Sequence, residues 1–429
     1  MVSLAVFGTF VVCLLLSLPI GIALIFACAA ALGTAPNITA DSAFIFRSIV
    51  TGMDSFTFLA IPLFVLSGNL MAGGGISDKL FRFFSFFVFN KTAGMPIAVV
   101  LRCLFYGAIT GSGPATVAAI GTMAIPVLVK LGYKMSFATA LVAVAGGLGV
   151  IIPPSIPFVV YGQTAGVSVA SLFTGGILPG CLIGLCLMVV SWVYCKKNGE
   201  DKKKLQENYD ELHQKSGWQI FKESFWALLT PVIILGGIYS GLVTPTEAAC
   251  VSVFYALIVG FFIYKTLKLK DLLPIFFDSV KGMIPMLFVC CAAIAFGRII
   301  SMLQLPQMLS DAVLGALHNK IFILLLINAI LLFLGMIIDG SSAIMITTPL
   351  FMPIIQAIGM NPVHFGVMMV CNLAIGFVTP PVGINLFVAS SLTQIPVMEI
   401  AKHAAKFIFG FLVALLLITF VPAITMLLV

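Results

Sequence analysis

Within the 429 residues, the side chains and backbone breaks able to do chemistry fall into two pairs of short clusters. One cluster reads Gly111-Ser112-Gly113-Pro114, with Thr116 close behind, and its partner reads Asp339-Gly340-Ser341-Ser342. The other two are adjacent prolines in apolar runs, Pro153-Pro154 in GVIIPPS and Pro380-Pro381 in GFVTPPV. Hydroxyl and carbonyl oxygens are ligands for hard cations. Proline supplies such carbonyls because it removes a backbone donor and clashes with the preceding turn, at a cost of roughly 3 kcal/mol in a helix interior. Backbone freed in this way inside a membrane must be buried in protein or line a watery cavity. There the carbonyls can ligate a cation, and helix N-termini can face an anion.

Three charges lie inside apolar runs. An acid at membrane depth is a functional candidate, which marks Asp339. The same acid could instead cap the helix that follows. Arg102 and Arg298 carry fixed guanidinium groups suited to a carboxylate substrate, although a scaffold salt bridge or a snorkelling side chain is the more ordinary account of each. Glu247 has a structural explanation, because Thr244-Pro245-x-Glu247 is a capping box with proline at the first helical position. No nucleophile–base or metal-ligand spacing occurs. The histidines (His213, His318, His364, His403) are scattered, and HExxH, CxxC and GxxxxGK[ST] are all absent. The ten cysteines lie mostly in apolar runs and read as inert buried thiols. An enzyme is not expected, nor is ATP hydrolysis by a P-loop.

The elements that hold these clusters must be membrane helices. The chain is 61% apolar and 9% charged, with mean hydropathy +1.20. Soluble domains carry about 25% charged residues, so an all-α polytopic membrane protein follows. Spans of about 20 apolar residues fit roughly a dozen times. The net charge of +7 comes from Lys and Arg in loops beside apolar runs, the positive-inside pattern, and gives no reason to expect nucleic acid as a partner. Arg47 is the first basic side chain, so a cleavable signal is not expected.

Residues 2–33 are too long for one span at about 48 Å, and divide at Ser17-Leu18-Pro19. An amphipathic stretch over 36–55, a span at 56–73 and an interfacial helix over 77–91 follow. Apolar runs then cover 94–131, broken at GSGP, 136–165, broken at the prolines, and 170–195. The segment 196–223 holds seven Lys and six acids, and reads as a cytoplasmic linker between halves 1–195 and 224–429. Spans at 224–243, 245–264 and 283–304, a second interfacial stretch at 306–320, broken runs at 321–356 and 362–392, and a last span at 404–428 complete the chain.

An offset of 227 lays Pro126 on Pro353, Gly132 on Gly359, Gly149 on Gly376, and Pro153-Pro154 on Pro380-Pro381. Upstream, Gly111-Ser112 falls on Gly340-Ser341 after a small insertion. Residues 79–134 contain Lys79, Arg82, Lys91, Lys130 and Lys134, besides Arg102 in its apolar run, where the matching 307–361 contains Lys320 alone, and the bias reverses at Lys402 and Lys406. Equivalent loops therefore belong on opposite sides, with the linker inside and both termini outside. The pattern is two inverted repeats, each with a broken helix, as in secondary transporters. The 94–131 and 321–356 runs read as re-entrant helical hairpins whose Gly/Ser tips meet the broken helices near the midplane; each limb could instead just span the bilayer.

IPLFVLSGNLM (61–71), TGSGPATVAAIGTMAIPVL (110–128), GGLGVIIPPSIPFVVYG (146–162), GLVTPTEAA (241–249) and GFVTPPVGINLFV (376–388) resemble the large membrane subunit of tripartite ATP-independent periplasmic (TRAP) transporters, over essentially the whole chain. The resemblance implies an elevator-type importer of an organic acid in the bacterial inner membrane, driven by sodium. Sialic acid is the favoured cargo and a C4-dicarboxylate the next. The partners it implies are a small four-helix membrane subunit, as a separate chain, and a periplasmic substrate-binding protein. Carried onto this sequence, the sodium sites fall at Gly111, Ser112, Gly149, Ile152 and Pro153, and at Gly340, Ser341, Gly376, Thr379 and Val382. Ser112, Thr116, Asp339, Ser342, Arg102 and Arg298 are the candidates for the substrate, although the arginines belong to no family motif. A channel or scaffold subunit without coupled transport is the alternative function.

Overall fold

The computed structural model describes residues 2–35, 39–52, 54–88, 92–201, 204–205 and 216–429, and the regular structure among them is helical throughout. The N-terminal run divides as expected into α1 (Val2–Leu15) and α2 (Ile20–Thr34), with Ser17 at φ 61 and Pro19 ahead of α2. Then come α3 (Ser42–Gly52), a 3-10 turn at Phe56–Leu59 leading into α4 (Ala60–Gly73), and α5 (Ile76–Val88). Helices α6 (Gly94–Thr110) and α7 (Gly113–Lys130) form a hairpin joined by two residues. The first broken helix is α8 (Met135–Gly146), a 3-10 turn at Gly147–Val150, non-helical residues 151–155, and α9 (Ile156–Ala165). It is followed by α10 (Val169–Asn198).

The middle of the 196–223 linker lies outside the described residues. Its first part is fixed by Glu200, whose carboxylate accepts from the Ala93 N–H at 3.1 Å and from the Tyr133 hydroxyl. The second half runs α11 (Gly217–Tyr239), α12 (Pro245–Ile258), α13 (Leu269–Met302), α14 (Leu305–Ala316), α15 (Lys320–Ile337), α16 (Gly340–Ala357), α17 (Pro362–Gly376), α18 (Ile384–Thr393) and α19 (Val397–Phe420). Nine helical segments among the described residues are long and apolar enough to cross a membrane, and shorter apolar helices make up the rest of the bundle. The chain is a multi-pass membrane protein.

Three helices start several residues upstream of the sequence expectation, the first being α11, which starts at Gly217 instead of 224 and so takes in the last residues of the expected linker. α13 starts at Leu269 instead of 283 and has 34 residues, about 51 Å. Asp271 accepts from the Lys268 N–H at 3.0 Å and so starts the helix well upstream of its apolar run. α19 starts at Val397 instead of 404, its first turns carrying Glu399, Lys402 and His403, and Pro422 lies just past its end.

Burial separates the bundle into two kinds of helix. From Phe137 to Gly146 in α8, and from His364 to Gly376 in α17, every residue is buried, so the broken helices form the centre. α13, α15 and α19 bury one face and leave Leu, Ile and Phe exposed on the other, which suits a lipid contact.

The 227-residue offset reappears in the elements. α7 and α16 share their bounds at that offset, and Met135 and Pro362 start α8 and α17 at the same spacing. The N-cap of α7 is Ser112 and that of α16 is Asp339, which is the same offset. This corrects the pairing of Gly111-Ser112 with Gly340-Ser341 through an insertion. Gly111 and Ser112 lie between two helices, whereas Gly340 and Ser341 are already the first helical residues of α16.

α10 and its counterpart α19 run in opposite directions. Lys406 Nζ lies 5.7 Å above the Tyr194 ring, Gly410 packs against Val190, and the Thr425 carbonyl past the end of α19 sits beside Gly175. Likewise Phe137 of α8 stacks on Tyr194 at 3.9 Å, while Val367 of α17 packs at Gly175. Those two contacts are about 28 Å apart along α10.

Candidate functional site

The first hairpin tip is built from backbone. Gly111 takes φ 61, and a Cβ there would stand 2.8 Å from the Pro154 carbonyl, so both conformation and space demand glycine. Ser112 starts α7 in an extended conformation, and its side chain makes no cap hydrogen bond. Its carbonyl accepts from the Thr116 N–H at 3.1 Å and the Thr116 hydroxyl at 2.7 Å. Thr110 Oγ1 lies 3.2 Å from Thr116 Oγ1.

The first break closes on that tip. The Ile156 N–H donates to the Gly111 carbonyl at 3.4 Å. Gly149 lies so near that a Cβ would come within 2.4 Å of Thr116 Oγ1 and 2.8 Å of the Ser112 carbonyl. Gly111, Ser112, Thr116 and Gly149 therefore form one oxygen-rich cluster. Ser155 spans the break, its hydroxyl donating to the Val150 carbonyl and accepting from the Phe158 N–H. Pro153 is buried, and Ile152 turns the other way, against Gly180 of α10. The Pro153–Pro154 and Pro380–Pro381 bonds are both cis.

The second tip is built from side chains. Asp339 caps α16, accepting from the Ser341 N–H at 3.0 Å, the Ser342 N–H at 3.3 Å and the Ser342 hydroxyl. Gly340 lies on the Phe377 ring, and Gly376 meets Gly335 so closely that a Cβ would be 2.4 Å from the Gly335 carbonyl carbon. The Thr379 N–H donates to the Gly376 carbonyl at 3.1 Å, and the Thr379 hydroxyl to the Ile375 carbonyl at 2.7 Å. Val382 is half-buried. The Gly383 N–H donates to the Met336 carbonyl at 3.3 Å, tying the second break to its hairpin as Ile156 does in the first half.

Both tips line one cavity of about 480 Å³. Gly111, Ser112 and Pro114 come from the first tip, and Asp339, Gly340 and Ser341 from the second. Ile156 and Phe377 bring the edges of the two breaks, and Pro285, Met286, Phe288 and Val289 of α13 form an apolar wall. A mostly apolar space of this size with a few converging oxygens can hold one small organic molecule. Asp339 is both the helix cap and a cavity residue.

The arginines lie elsewhere. Arg102 is wholly buried in α6, with Nη2 3.0 Å from Met123 Sδ of α7, about 13 Å along the helix from Gly111. Arg298 donates to Ser48 Oγ at 3.1 Å and Thr51 Oγ1 at 3.4 Å, on α3. Neither lines the central cavity. Glu247 closes the capping box, accepting from the Thr244 N–H at 2.7 Å.

Sequence reasoning passed over Asn385. It is wholly buried, its Nδ2 donates to the Ala143 carbonyl of α8 at 3.2 Å, and its N–H donates to the Phe377 carbonyl at 3.0 Å. Its amide also packs against Gly113, so a side chain of the second broken helix touches the first hairpin and the first broken helix. The signal was an amide in the apolar stretch just past the second break, where a buried polar group needs a partner.

Breaks, hairpins and a shared cavity inside a helical bundle are the architecture of a membrane transporter, and solved transporters share the fold. The Alcanivorax borkumensis YdaH transporter superposes with TM-score 0.60 at 14% identity, over 93% of this chain and 96% of that one. Neisseria gonorrhoeae MtrF superposes with TM-score 0.63 at 15% identity, over 92% and 94%. Residues 7–424 match the family model "Tripartite ATP-independent periplasmic transporter, DctM component", and the chain belongs to that family. It is 42% identical to the isethionate TRAP transporter permease protein DctMQ of Oleidesulfovibrio alaskensis, over 98% of this chain and 65% of that protein. Identity is 38% to the C4-dicarboxylate TRAP transporter large permease protein DctM of Pseudomonas aeruginosa, covering 87% and 86% of the two chains. It is 36% to the sialic acid TRAP transporter large permease protein SiaM of Vibrio cholerae, covering 96% and 94%. The chain thus spans just under two thirds of the isethionate relative and most of the other two, and all three are named as permeases, not enzymes.

Proposed function

We propose that this chain is the membrane-embedded permease of a sodium-coupled importer that brings a small organic anion across the bacterial inner membrane. The observation that carries the reading is the convergence on one cavity of the tips of two hairpins, each hairpin hydrogen-bonded to a broken helix. Sodium is a substrate of this cycle. Ser112 Oγ and the carbonyls of the first break, and Thr379 Oγ1 and the carbonyls of the second, are hard oxygen donors of the type sodium requires.

The opposed directions of α10 and α19, and the placement of α8 and α17 toward opposite ends of α10, support inverted repeats. In the elevator reading the hairpins and broken helices move as a body along the α13 wall. The cargo carries a carboxylate or sulfonate head, the chemistry common to isethionate, C4-dicarboxylates and sialic acid. Sialic acid is the first candidate from the sequence motifs. A small membrane subunit and a periplasmic binding protein complete the system.

Reconstitution with those partners tests the proposal. Uptake should require an inward sodium gradient and be indifferent to ATP. Uptake of the same anion without sodium would leave a channel or an uncoupled carrier as the function.

A further inference from the structure

Arg298 does not reach the central cavity, but it faces one of its own. A space of about 650 Å³ is bounded by Gln163 and Thr164 of α9, Met345 and Pro349 of α16, and Arg298 and Ser301 of α13. The same three helices give Ile156, Ser341 and Val289 to the central cavity. The two spaces therefore follow one crevice, with Arg298 about 13 Å beyond Val289 along α13. α10 shows which end this is. Gln163 and Thr164 come just before its first residue, while its last turn carries Lys196 and Lys197 and runs into the linker about 45 Å away.

The partners of Arg298 orient it without neutralising it. Its Nη1 is held by the hydroxyls of Ser48 and Thr51, both uncharged. The ion pairs among the described residues are Lys79–Glu223 and Lys204–Asp201, and Arg298 is in neither. A cation in a groove with low-dielectric walls keeps its field and raises the local concentration of anions. The guanidinium also has donors beyond Nη1 with which to grip a planar carboxylate or a sulfonate. Gln163, Thr164 and Ser301 add hydrogen-bonding groups for the rest of such a molecule.

We propose that the Arg298 cavity is a capture site, which holds the anionic head of the cargo on the side away from the linker before the cargo reaches the central cavity. The proposal rests on the importer reading above, and the experiment separates the two. Thr164→Cys is placed in a background with the exposed Cys181 and Cys250 replaced by serine, and the purified protein is treated with anionic and cationic methanethiosulfonates of matched size. The ratio of anionic to cationic labelling rates should fall about tenfold in Arg298→Gln and be preserved in Arg298→Lys. Isethionate, succinate or N-acetylneuraminate, added singly at constant ionic strength, should include at least one anion that slows labelling when residue 298 is cationic and has no effect in the Gln variant. In reconstituted uptake, Arg298→Gln should raise KM about tenfold without moving the sodium concentration for half-maximal rate. A labelling ratio indifferent to residue 298, or no protection by any of the three anions, overturns the capture site even in a fully active transporter. A changed ratio with protection, in a protein whose uptake ignores sodium, upholds the capture site and overturns the coupling.

Discussion

At the first hairpin tip, Ser112 occupies the cap position of α7 but its hydroxyl caps nothing, whereas at the second tip Asp339 commits its carboxylate to two backbone N–H groups and the Ser342 hydroxyl. The breaks behind them differ in the opposite sense. Ser155 bridges the first break, and its counterpart at the 227 offset, Val382, cannot. In the first half Ser155 bridges the break and the tip is held through the Ser112 carbonyl by Thr116; in the second, side chains cap the tip and leave the break to the backbone and Thr379. Two equivalent elements thus reach one cavity with different charge, the first offering a hydroxyl and a helix N-terminus, the second a carboxylate. An anionic cargo is accordingly expected to turn its charged head toward the Ser112 side.

The largest effect tests whether the second break is set by backbone contact. Gly376→Ala would push a Cβ into the Gly335 main chain, which cannot rotate away. Gly149→Ala meets first the Thr116 hydroxyl, which can turn, although the Ser112 carbonyl is also close. Gly376→Ala should cost about 3 kcal/mol or more and Gly149→Ala less, read as loss of folded protein and a lowered thermal midpoint. Equal losses would erase the difference between the halves at this point.

The caps come next. Asp339→Ala should destabilise by about 1–2 kcal/mol, because two N–H groups of α16 lose their acceptor. Ser112→Ala should stay within about 0.5 kcal/mol of the unsubstituted protein. Asp339→Asn, which keeps an acceptor oxygen but loses the charge, should recover much of the stability without recovering uptake. Full uptake in Asp339→Asn would reduce the acid to its capping role.

Among the substitutions expected to destabilise, Ser155→Ala gives the smallest shift. Loss of its bridge across the break should lower stability by about 1 kcal/mol, with the sodium concentration for half-maximal uptake unmoved. A displaced sodium curve would place this hydroxyl in the ion site.

Much of this comparison was legible in the sequence because helix breaks have strong local causes. Pro19, Gly111, Pro153-Pro154 and Pro380-Pro381 each stop a helix for reasons internal to a few residues, and the breaks stand where those residues do. The pairing of the tips was not legible. The letters Gly-Ser recur two residues out of phase, and only the cap conformations show that Ser112 corresponds to Asp339. The upstream start of α13 was hidden by its polar first turns, and Asn385 by its isolation, since its partners Ala143 and Phe377 are backbone carbonyls that leave no trace in composition. Arg298 could be flagged from its type alone, but which cavity it faces depends on three helices far apart in sequence.

The claim that both halves bind sodium is tested most directly by the sodium dependence of uptake in Ser112→Ala and Thr379→Ala, measured in proteoliposomes with the partner subunits at saturating substrate. Each variant loses one oxygen near a break and should remain well folded. Each should raise the sodium concentration for half-maximal uptake, by about tenfold to a hundredfold for the loss of a contact worth about 1–3 kcal/mol. Sodium curves that coincide with the unsubstituted protein in both variants would contradict the account, and would assign the two breaks to packing or hinge motion.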